Sequence, residues 1–445
     1  MLRTTGRGIA GTALVLALVG ACSSGPPAAA KQDPKGQLQI WIRQQPGSDS
    51  ARTADALAQA FTASSGIPTK VVAIFDDFET KLQQQGAQHA LPDIVINDTA
   101  QLGNMQSQGW LTEVDRGAFP GGTDLSDRAW HAAQGSDGRF YAVPFSAQSV
   151  AMLVRSDWRK KLNLPEPRTW ADLARLGQAF TRDDPDGDGK ADTYGFAIPA
   201  TTKRGYTSWY ASALIWANGG DFLTPVGGNT WKPAVNTPKT VAAVSWLQQQ
   251  FCANKTVVPG AVNNDTTVTH DLFEKGEAGI YLVGPYVLAR FVKNIGTDKV
   301  EVFPVPKGPD GGPGTLAEGE NVYLMAGSHN TEGQRKFAEF ASSPAGQKVG
   351  MNGDKAGAIV RLPVNTTVDV ATVRTDTRWT VYADQYRADG VYTPNVPNWA
   401  PFRQSSADAM NAVLANCGAS VQEAMDRLAA TFTDELRKQK VLAGG

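Results

Sequence analysis

The chain has 445 residues, of which 42% are hydrophobic, and its 42 lysine and arginine residues nearly balance 43 aspartate and glutamate residues. A chain of this length and composition can bury a large core, and two lobes are more typical of it than one domain. The formal net charge of −1 without a basic run argues against sequence-independent binding of nucleic acid. After the N-terminal segment no apolar run is long enough to span a membrane.

The N-terminal residues have the pattern of a bacterial export signal. Arg3 and Arg7 precede an apolar run over residues 9–19, which is too short to be a transmembrane helix. The short block that ends this run at Cys22 resembles a lipobox, in which the cysteine becomes lipidated and forms the new N-terminus. We therefore predict a lipoprotein signal peptide over residues 1–21 and lipidation of Cys22, which holds the protein at the extracytoplasmic face of the cell membrane. An ordinary residue beside an ordinary cleavage site is the alternative.

A polar segment rich in proline and alanine, residues 22–35, is predicted to be a flexible tether. From residue 37 the pattern alternates between short apolar runs and amphipathic stretches. Strands are predicted over residues 38–42, 69–74 and 92–96, and helices over residues 54–61 and 78–88. This βαβαβ order predicts a largely parallel sheet with helices on both faces.

Polar residues that follow the predicted strands are candidate ligand-binding residues, because such sheets bind ligands beyond the C-terminal ends of their strands. Arg43 and Gln45 follow the first strand, Asp77 follows the second and Asp98 follows the third. Asp77 and Asp98 also lie at strand-to-helix turns, where capping of the next helix is the alternative role.

An acidic loop has part of the spacing of a calcium site. It offers carboxylates at its first, third, fifth and ninth positions, from Asp184, Asp186, Asp188 and Asp192. A glycine at the sixth position suits the tight turn of an EF-hand loop, but Gly195 stands at the twelfth position, where such a loop has a bidentate glutamate. A structural calcium site and a bare acidic turn both remain open, and no other cofactor is predicted.

Apart from Cys22, the chain has two cysteines, Cys252 and Cys417, an even pair in a compartment that permits disulfides. A disulfide and two buried thiols are both compatible with this pair, and neither cysteine has metal-ligand spacing. The four histidines form no His-x-x-x-His pair, and no Gly-x-Ser-x-Gly elbow occurs. Hydrolysis that depends on histidine therefore has little support.

Several segments, taken in order, resemble those of one protein family. They are Leu-Pro-Asp-Ile-Val at residues 91–95, Gly-Trp-Leu at 109–111, Asp-Gly-Arg-Phe-Tyr-Ala-Val-Pro at 137–144, Asn-Gly-Gly-Asp at 218–221, Phe-Glu-Lys-Gly at 273–276, Val-Gly-Pro-Tyr at 283–286 and Pro-Asn-Val-Pro at 394–397. This order is similar to that of the sugar-type extracellular solute-binding proteins (family 1) of ABC importers, the class of maltose-binding protein.

The resemblance implies a two-lobed periplasmic-binding-protein-like α/β fold. Each lobe would have a mainly parallel sheet flanked by helices, and the ligand would lie in a cleft that closes by hinge motion. By this resemblance lobe one comprises residues 36–143 and 321–374, and lobe two comprises residues 144–320 and 375–445.

The resemblance also implies a set of sugar-contacting residues. Sugars present C–H faces that stack on aromatic rings, and the aromatic side chains at matched places are Trp209, Tyr210, Tyr286 and Trp399. The alternative for each is a place in the core. Among polar residues, Gln148 falls where the family has a ligand-binding glutamate, and Glu320 in the second crossing faces either the cleft or solvent. Asn97 and Arg403 stand at or near aromatic places of the family, which disfavours maltodextrins and leaves room for a more polar or anionic sugar.

By the same resemblance the protein is a monomeric, lipid-anchored receptor that captures a carbohydrate and delivers it to the permease subunits of an ABC importer, without making or breaking a bond. One alternative is an exported carbohydrate-active enzyme, which needs two carboxylates about 5–10 Å apart. Asp77, Asp98 and Glu320 are candidates for such a pair. A second alternative is a binding protein for a glycerophosphodiester, a polyamine or iron, although the sequence lacks the tyrosine clusters of an iron site.

Overall fold

The computed structural model describes residues 32–312 and 314–444. The predicted signal peptide, Cys22 and most of the predicted tether lie outside the described residues. The last residues of that tether are held on the protein: the Gln32 side chain donates to the backbone carbonyl of Ser328 (3.0 Å), and the Asp33 backbone N–H donates to that of His329 (2.6 Å). Within the described part of the chain, no helix is at once long and apolar enough to cross a bilayer.

The strands and helices alternate along most of the chain. The strands are β1 (Leu38–Arg43), β2 (Thr69–Ile74), β3 (Ile94–Asp98), β4 (Val143–Ser149), β5 (Ala151–Arg155), β6 (Tyr194–Phe196), β7 (Leu223–Gly227), β8 (Thr230–Pro233), β9 (Ala278–Val283), β10 (Val300–Phe303), β11 (Thr315–Leu324), β12 (Leu362–Pro363) and β13 (Gly390–Val391). The helices are α1 (Asp49–Ser65), α2 (Phe78–Ala87), α3 (Leu102–Ser107), α4 (Asp127–His131), α5 (Ser156–Lys161), α6 (Trp170–Arg182), α7 (Tyr206–Ala217), α8 (Pro238–Phe251), α9 (Thr266–Glu274), α10 (Leu288–Ile295), α11 (Thr331–Ser342), α12 (Pro344–Met351), α13 (Val370–Val373), α14 (Arg378–Asp389), α15 (Ala400–Ala415) and α16 (Val421–Lys438).

The predicted βαβαβ unit at the start of the fold is confirmed. β1 pairs in parallel with both β2 and β3. α1 begins after Ser48, whose hydroxyl accepts a hydrogen bond from the Ala51 backbone N–H, and ends at Gly66 with φ 72°. A left-handed C-cap of this kind favours glycine, and a serine cap satisfies one free N–H of the first turn. The apolar residues that recur at helical spacing in this segment are buried in the structure: Ala54, Leu57, Ala58 and Phe61.

The strands form two larger sheets and a hairpin. The first sheet has the order β12-β4-β11-β3-β1-β2, with β13 beside β11; the second has the order β10-β5-β9-β6; and β7 pairs with β8. Two apolar cores pack against the sheets. One contains Phe61 and Trp130 beside the first sheet and extends to Tyr281 of the second, and the other contains Trp158 and Trp216 beside the second sheet. The fold is therefore α/β with two lobes, as expected.

Both sheets are mixed rather than mainly parallel. β11 runs antiparallel to β3 and β4, and β5 runs antiparallel to β9 and β10. Parallel pairing occurs between β1 and its two neighbours, between β6 and β9, and between β11 and β13. Parallel neighbours need a crossover that returns to the same sheet, and strands that arrive from the other sheet are free of that requirement.

The chain passes between the sheets at places that differ from the predicted boundaries. β4 belongs to the first sheet and β5 to the second, so the first passage lies at Val150 rather than after residue 143. The second passage lies between β10 and β11, within residues 304–314, rather than after residue 320. The reason is that β4 and β11 remain paired with each other in the first sheet up to the points of passage. After residue 374, α15 and α16 pack against α7 and α8 of the second lobe.

Cys252 and Cys417 form a disulfide, with their Cα atoms 5.5 Å apart. Cys252 caps the C-terminus of α8, and Cys417 lies in the turn between α15 and α16. The bond therefore ties the C-terminal helices to the second lobe. A disulfide is typical of a protein that works outside the cytoplasm.

Candidate functional site

A polar cleft of about 330 Å³ lies between the two sheets. Its first wall comes from the C-terminal ends of β1 and β3, with the C-terminal end of β4 and the middle of β11 at its base. Its second wall comes from the N-terminal part of α7, from α9 and from the turn that follows β9. Its position agrees with the general rule for such sheets, and its volume is at the lower end for small-molecule sites.

Seven of the predicted ligand-binding residues line this cleft. They are Arg43, Asp98, Gln148, Trp209, Tyr286, Glu320 and Arg403. They come from both lobes and from segments more than 300 residues apart in sequence, so only the tertiary fold brings them together. Their contact with a ligand stays a prediction.

Four predicted residues do not line the cleft. Gln45 is exposed, and Gln44 lines the cleft in its place. Asp77 is exposed at the start of α2, with φ 55° and no side-chain capping bond. Tyr210 is 3% exposed in the core, since neighbouring helix residues point about 100° apart and Trp209 takes the cleft-facing position. Trp399 is also buried, with its ring stacked on Phe402 at 5.6 Å between ring centroids.

Two glutamates of β11 face the cleft together, because alternate residues of a strand lie on one side of a sheet. Glu318 accepts hydrogen bonds from Trp209 Nε1 (2.8 Å) and Gln148 Nε2 (3.0 Å). Glu320 pairs with Arg361 (3.1 Å), and its second oxygen, Oε2, is buried without a hydrogen-bond partner among the described residues. Burial raises the pKa of both glutamates, and for Glu320 the nearby guanidinium of Arg361 acts in the opposite direction. Glu318 was not predicted as a ligand-binding residue, although it lies two residues before Glu320 and therefore on the same side of the strand.

Three of the four arginines that line the cleft are neutralised by carboxylates. Arg43 lies 3.4 Å from Asp98 and 3.6 Å from Glu79. Arg204 also pairs with Glu79, at 3.5 Å, and so joins the second lobe to α2 of the first. The third is Arg361, already described with its glutamate.

Arg403 is the fourth arginine, and no carboxylate of the described residues lies within 4.0 Å of it. Its Nε atom is buried without a hydrogen-bond partner in the described part of the chain. Burial lowers the pKa of Arg403, the charges of Glu318 and Asp98 act against this, and the positive charge of Arg204 lowers it further.

Aromatic rings and a neutral imidazole complete the lining. The indole of Trp209 is half-buried, and Tyr286 is 37% exposed. The guanidinium of Arg361 lies 5.8 Å from the Tyr286 ring centroid, and the ring centroids of His270 and Tyr286 are also 5.8 Å apart. Burial lowers the pKa of His270 to about 4, so its imidazole is neutral at pH 7. Such a surface combines flat apolar faces with donors and acceptors, as sugar recognition requires.

The cleft also contains residues that no sequence pattern indicated. Arg204, Tyr206, His270 and Arg361 belong to this group, and they reach the cleft only through packing of the two lobes. Phe75 directly follows β2, so the strand-end rule that selected Arg43 could have found it.

The acidic loop between α6 and β6 lies away from this lining. Asp184, Asp186 and Asp188 each offer an oxygen within 4.8 Å of the others, and Asp192 is not part of the group. The Asp188 carboxylate also pairs with Lys190 at 2.7 Å, which reduces the negative charge available to a cation.

Calcium binding by this loop stays a prediction. If it binds calcium, adding calcium after chelation is expected to raise the melting temperature, because a ligand of the folded state stabilises that state. Asp186→Asn should abolish the rise, whereas Asp426→Asn on the exposed surface of α16 should leave it intact. An unchanged melting temperature in the wild-type protein would identify the loop as a plain acidic turn.

Comparison with known proteins agrees with this geometry. The chain matches the family described as bacterial extracellular solute-binding protein over residues 47–348, which is more than half of its length. It is 25% identical over 317 residues to the maltotriose-binding protein of Pyrococcus abyssi, covering 69% of this chain and 63% of that protein. It is 31% identical over 202 residues to the polygalacturonan/rhamnogalacturonan-binding protein YtcQ of Bacillus subtilis, covering 43% of this chain and 38% of that protein. The chain thus spans less than two thirds of the length of these curated relatives.

The fold is shared with a receptor of known structure. The GacH receptor of Streptomyces glaucescens, which has been crystallised with acarbose, superposes with a TM-score of 0.76 at 18% identity over 91% of this chain and 99% of that one. At this identity the likeness shows the fold alone. The matched family and these relatives are binding proteins and not carbohydrate-active enzymes. The chain belongs to the bacterial extracellular solute-binding protein family.

Proposed function

We propose that this protein is the lipid-anchored substrate-binding component of an ABC importer, which captures a carbohydrate between two hinged lobes and delivers it to the membrane permease. The observation that carries the proposal is the pairing of Trp209 with Glu318 at the base of the cleft (2.8 Å). The hydrogen bond fixes the indole plane, so that an apolar ring face stands beside a partly buried carboxylate that can accept hydrogen bonds from sugar hydroxyl groups.

Further polar atoms support a ligand with many hydroxyl groups. Gln148 is 8% exposed, and its Oε1 atom is buried without a hydrogen-bond partner in the described part of the chain. The Oε2 atom of Glu320 is also buried without a hydrogen-bond partner among the described residues. Buried acceptors without partners are costly, and a hydroxyl-rich ligand would satisfy them. The names of the relatives agree, since one is a maltotriose-binding protein and another is a polygalacturonan/rhamnogalacturonan-binding protein.

The two lobes have the contacts expected of a hinged receptor. Arg204 and Glu79 approach each other across the cleft, and they join a turn of the second lobe to α2 of the first. The two side chains are 30% and 34% exposed, and an ion pair in contact with solvent contributes only about 0–1 kcal/mol, so it can break and form as the lobes move. Closure around the ligand is the form in which such a receptor would present its cargo to a permease.

A thermal-shift screen of neutral and acidic mono-, di- and trisaccharides tests the proposal, followed by calorimetry on each hit. A ligand at 100 times its Kd should stabilise the folded protein by about 2.7 kcal/mol. Spermidine and glycerophosphocholine serve as comparison ligands from the non-sugar classes. A shift with either of these and with no carbohydrate would contradict the proposal.

The lipid anchor is the part of the proposal that rests on the N-terminal sequence. Cys22→Ala is expected to release the protein from the membrane fraction or to leave its precursor uncleaved, because the lipid on Cys22 is the anchor. Fractionation followed by immunoblotting measures this, and Ser23→Ala is the matched control that keeps the cysteine. A correctly processed Cys22→Ala protein that stays in the membrane fraction would show that something else anchors it.

A further inference from the structure

The charges that line the cleft are not balanced. Its basic members are Arg43, Arg204, Lys355, Arg361 and Arg403, and its acidic members are Asp98, Glu318 and Glu320. Glu79 lies outside the lining and pairs with two of these arginines, yet the basic groups still outnumber the acidic ones. Arg403 and Arg204 are close enough to repel each other, and this repulsion contributes to the lowered pKa of Arg403.

Arg403 is held in place without being neutralised. Its side chain passes over Gly205, where even a Cβ atom would collide with it, and its backbone carbonyl accepts a hydrogen bond from the Ser208 hydroxyl (3.0 Å). This contact joins α15 to the start of α7, the helix that carries Trp209. The guanidinium therefore has a fixed position next to the predicted stacking ring, and Arg403 and Trp209 line the cleft together.

The nearest acidic group does not remove the need for a partner. Glu318 attracts Arg403, but its carboxylate already accepts hydrogen bonds from Trp209 and Gln148 and lies more than 4.0 Å away. A cation that is largely removed from water without a paired carboxylate is unfavourable. A ligand that brings its own negative charge would supply the missing partner, and the planar fork of arginine matches a carboxylate or phosphate group.

We propose that the cleft is built for an acidic carbohydrate, whose sugar ring stacks on Trp209 and whose anionic group pairs with Arg403, with Arg204 beside it. The anionic group is a carboxylate, as in a uronic acid, or a sulfate or phosphate ester, which offers the same fork of acceptor oxygens. This inference rests on the proposed carbohydrate-binding function and specifies its ligand class. A polyamine fits less well, because its positive charges would face the basic surplus.

The first arm of the test uses the wild-type protein alone. Calorimetry compares oligogalacturonates with their methyl esters and with neutral galacto-oligosaccharides of equal length, and glucose 6-phosphate and glucosamine 6-sulfate represent the esters. We expect an acidic sugar to bind at least about tenfold tighter than its neutral or methyl-esterified counterpart. Binding of the oligogalacturonates identifies a carboxylate as the anionic group, and binding of glucose 6-phosphate or glucosamine 6-sulfate identifies a phosphate or sulfate.

The second arm uses variants of the cleft arginine. Arg403→Met keeps the stem that packs on Gly205 and removes the charge, and it should weaken binding of the acidic sugar by more than about thirtyfold while changing the neutral counterpart by less than about threefold. Arg403→Lys should give an intermediate loss, because it keeps the charge and loses the fork. Arg168→Gln removes a positive charge from an arginine whose side chain is 82% exposed, and it serves as the matched control.

The outcomes separate the inference from the function on which it rests. Arg403→Met should melt at or above the wild-type temperature without ligand, because it removes a partly buried cation that has no paired carboxylate. Equal affinity for an acidic sugar and its neutral methyl ester, or binding of neutral sugars alone, would overturn the inference and leave carbohydrate binding intact. Binding of none of the carbohydrates would overturn the proposed function as well. If Arg403→Met does not fold, the comparison of oligogalacturonates with their methyl esters on the wild-type protein still decides whether the cleft prefers an acidic sugar.

Discussion

Trp209→Ala is expected to weaken carbohydrate binding by about 2–4 kcal/mol, which is roughly 30- to 1000-fold in Kd. The ring supplies the apolar face on which a sugar stacks, and its Nε1 donates to Glu318 at 2.8 Å. Truncation removes both contributions. Without the Nε1 donor, the Glu318 carboxylate loses one of its hydrogen bonds, and burial already raises the pKa of this group. The loss therefore disturbs the group that would accept hydrogen bonds from sugar hydroxyls.

Two further variants separate the contributions of Trp209. Trp209→Phe keeps a ring face and loses the Nε1 donor, so an affinity between those of the wild type and the alanine variant is expected. Trp231→Ala removes a half-buried tryptophan of the β7–β8 hairpin, away from the cleft, and should leave affinity unchanged. Calorimetry with the carbohydrate found by the screen gives the Kd, and thermal melting without ligand gives the stability.

The melting temperature decides what kind of residue Trp209 is. The indole is only half-buried but packs against both apolar cores, so its removal should cost little more than about 1–2 kcal/mol of stability. Unchanged affinity together with a large fall in melting temperature would make Trp209 a core residue and would refute its role as the stacking floor.

The strand-end rule and the family resemblance together predicted much of the cleft. The rule selected single residues, whereas the resemblance did not distinguish between neighbouring residues. Arg43 and Asp98 follow from the rule that parallel strands end at one edge of a sheet, and the structure pairs them at 3.4 Å. The resemblance selected Trp209 and its neighbour Tyr210 equally. Ten of the twelve residues of α7 are buried, so the helix has no amphipathic period that could have distinguished the two.

The remaining differences have tertiary causes. Arg204, His270 and Arg361 enter the cleft because segments distant in sequence pack there, and a local pattern contains no such information. The parallel sheet predicted from the βαβαβ order holds for β1, β2 and β3, where the order is local. It fails where β11 joins them, because that strand arrives from the other sheet.

Arg361→Met is expected to destabilise the protein by about 3–5 kcal/mol at neutral pH. Arg361 and Glu320 pair at 3.1 Å, with side chains only 14% and 5% exposed. Without the guanidinium, the Glu320 carboxylate would be left in the base of the cleft with no partner for either oxygen among the described residues. A buried charge that has lost its partner is one of the few single changes that cost this much.

The destabilisation should depend on pH in a defined direction. Burial raises the pKa of Glu320 above its ordinary value of 4.5 even with Arg361 present, and removal of Arg361 should raise it further. A carboxyl group with a higher pKa in the folded state binds protons more readily there than in the unfolded chain. Its contribution to stability therefore falls as the pH rises from the unfolded value through the folded one. The deficit of Arg361→Met should be small near pH 4.5 and full at pH 7.5.

Denaturant unfolding at these two pH values, always relative to the wild type, measures this deficit. The double variant Arg361→Met with Glu320→Gln removes the charge as well as its partner, so it should recover much of the stability at pH 7.5 and lose the pH dependence. Arg361→Lys should retain most of the stability because a cation remains. An equal deficit at both pH values, or no recovery in the double variant, would show that the cost comes from lost packing around Arg361. Arg361 would then stabilise the protein through packing and not by balancing the charge of Glu320.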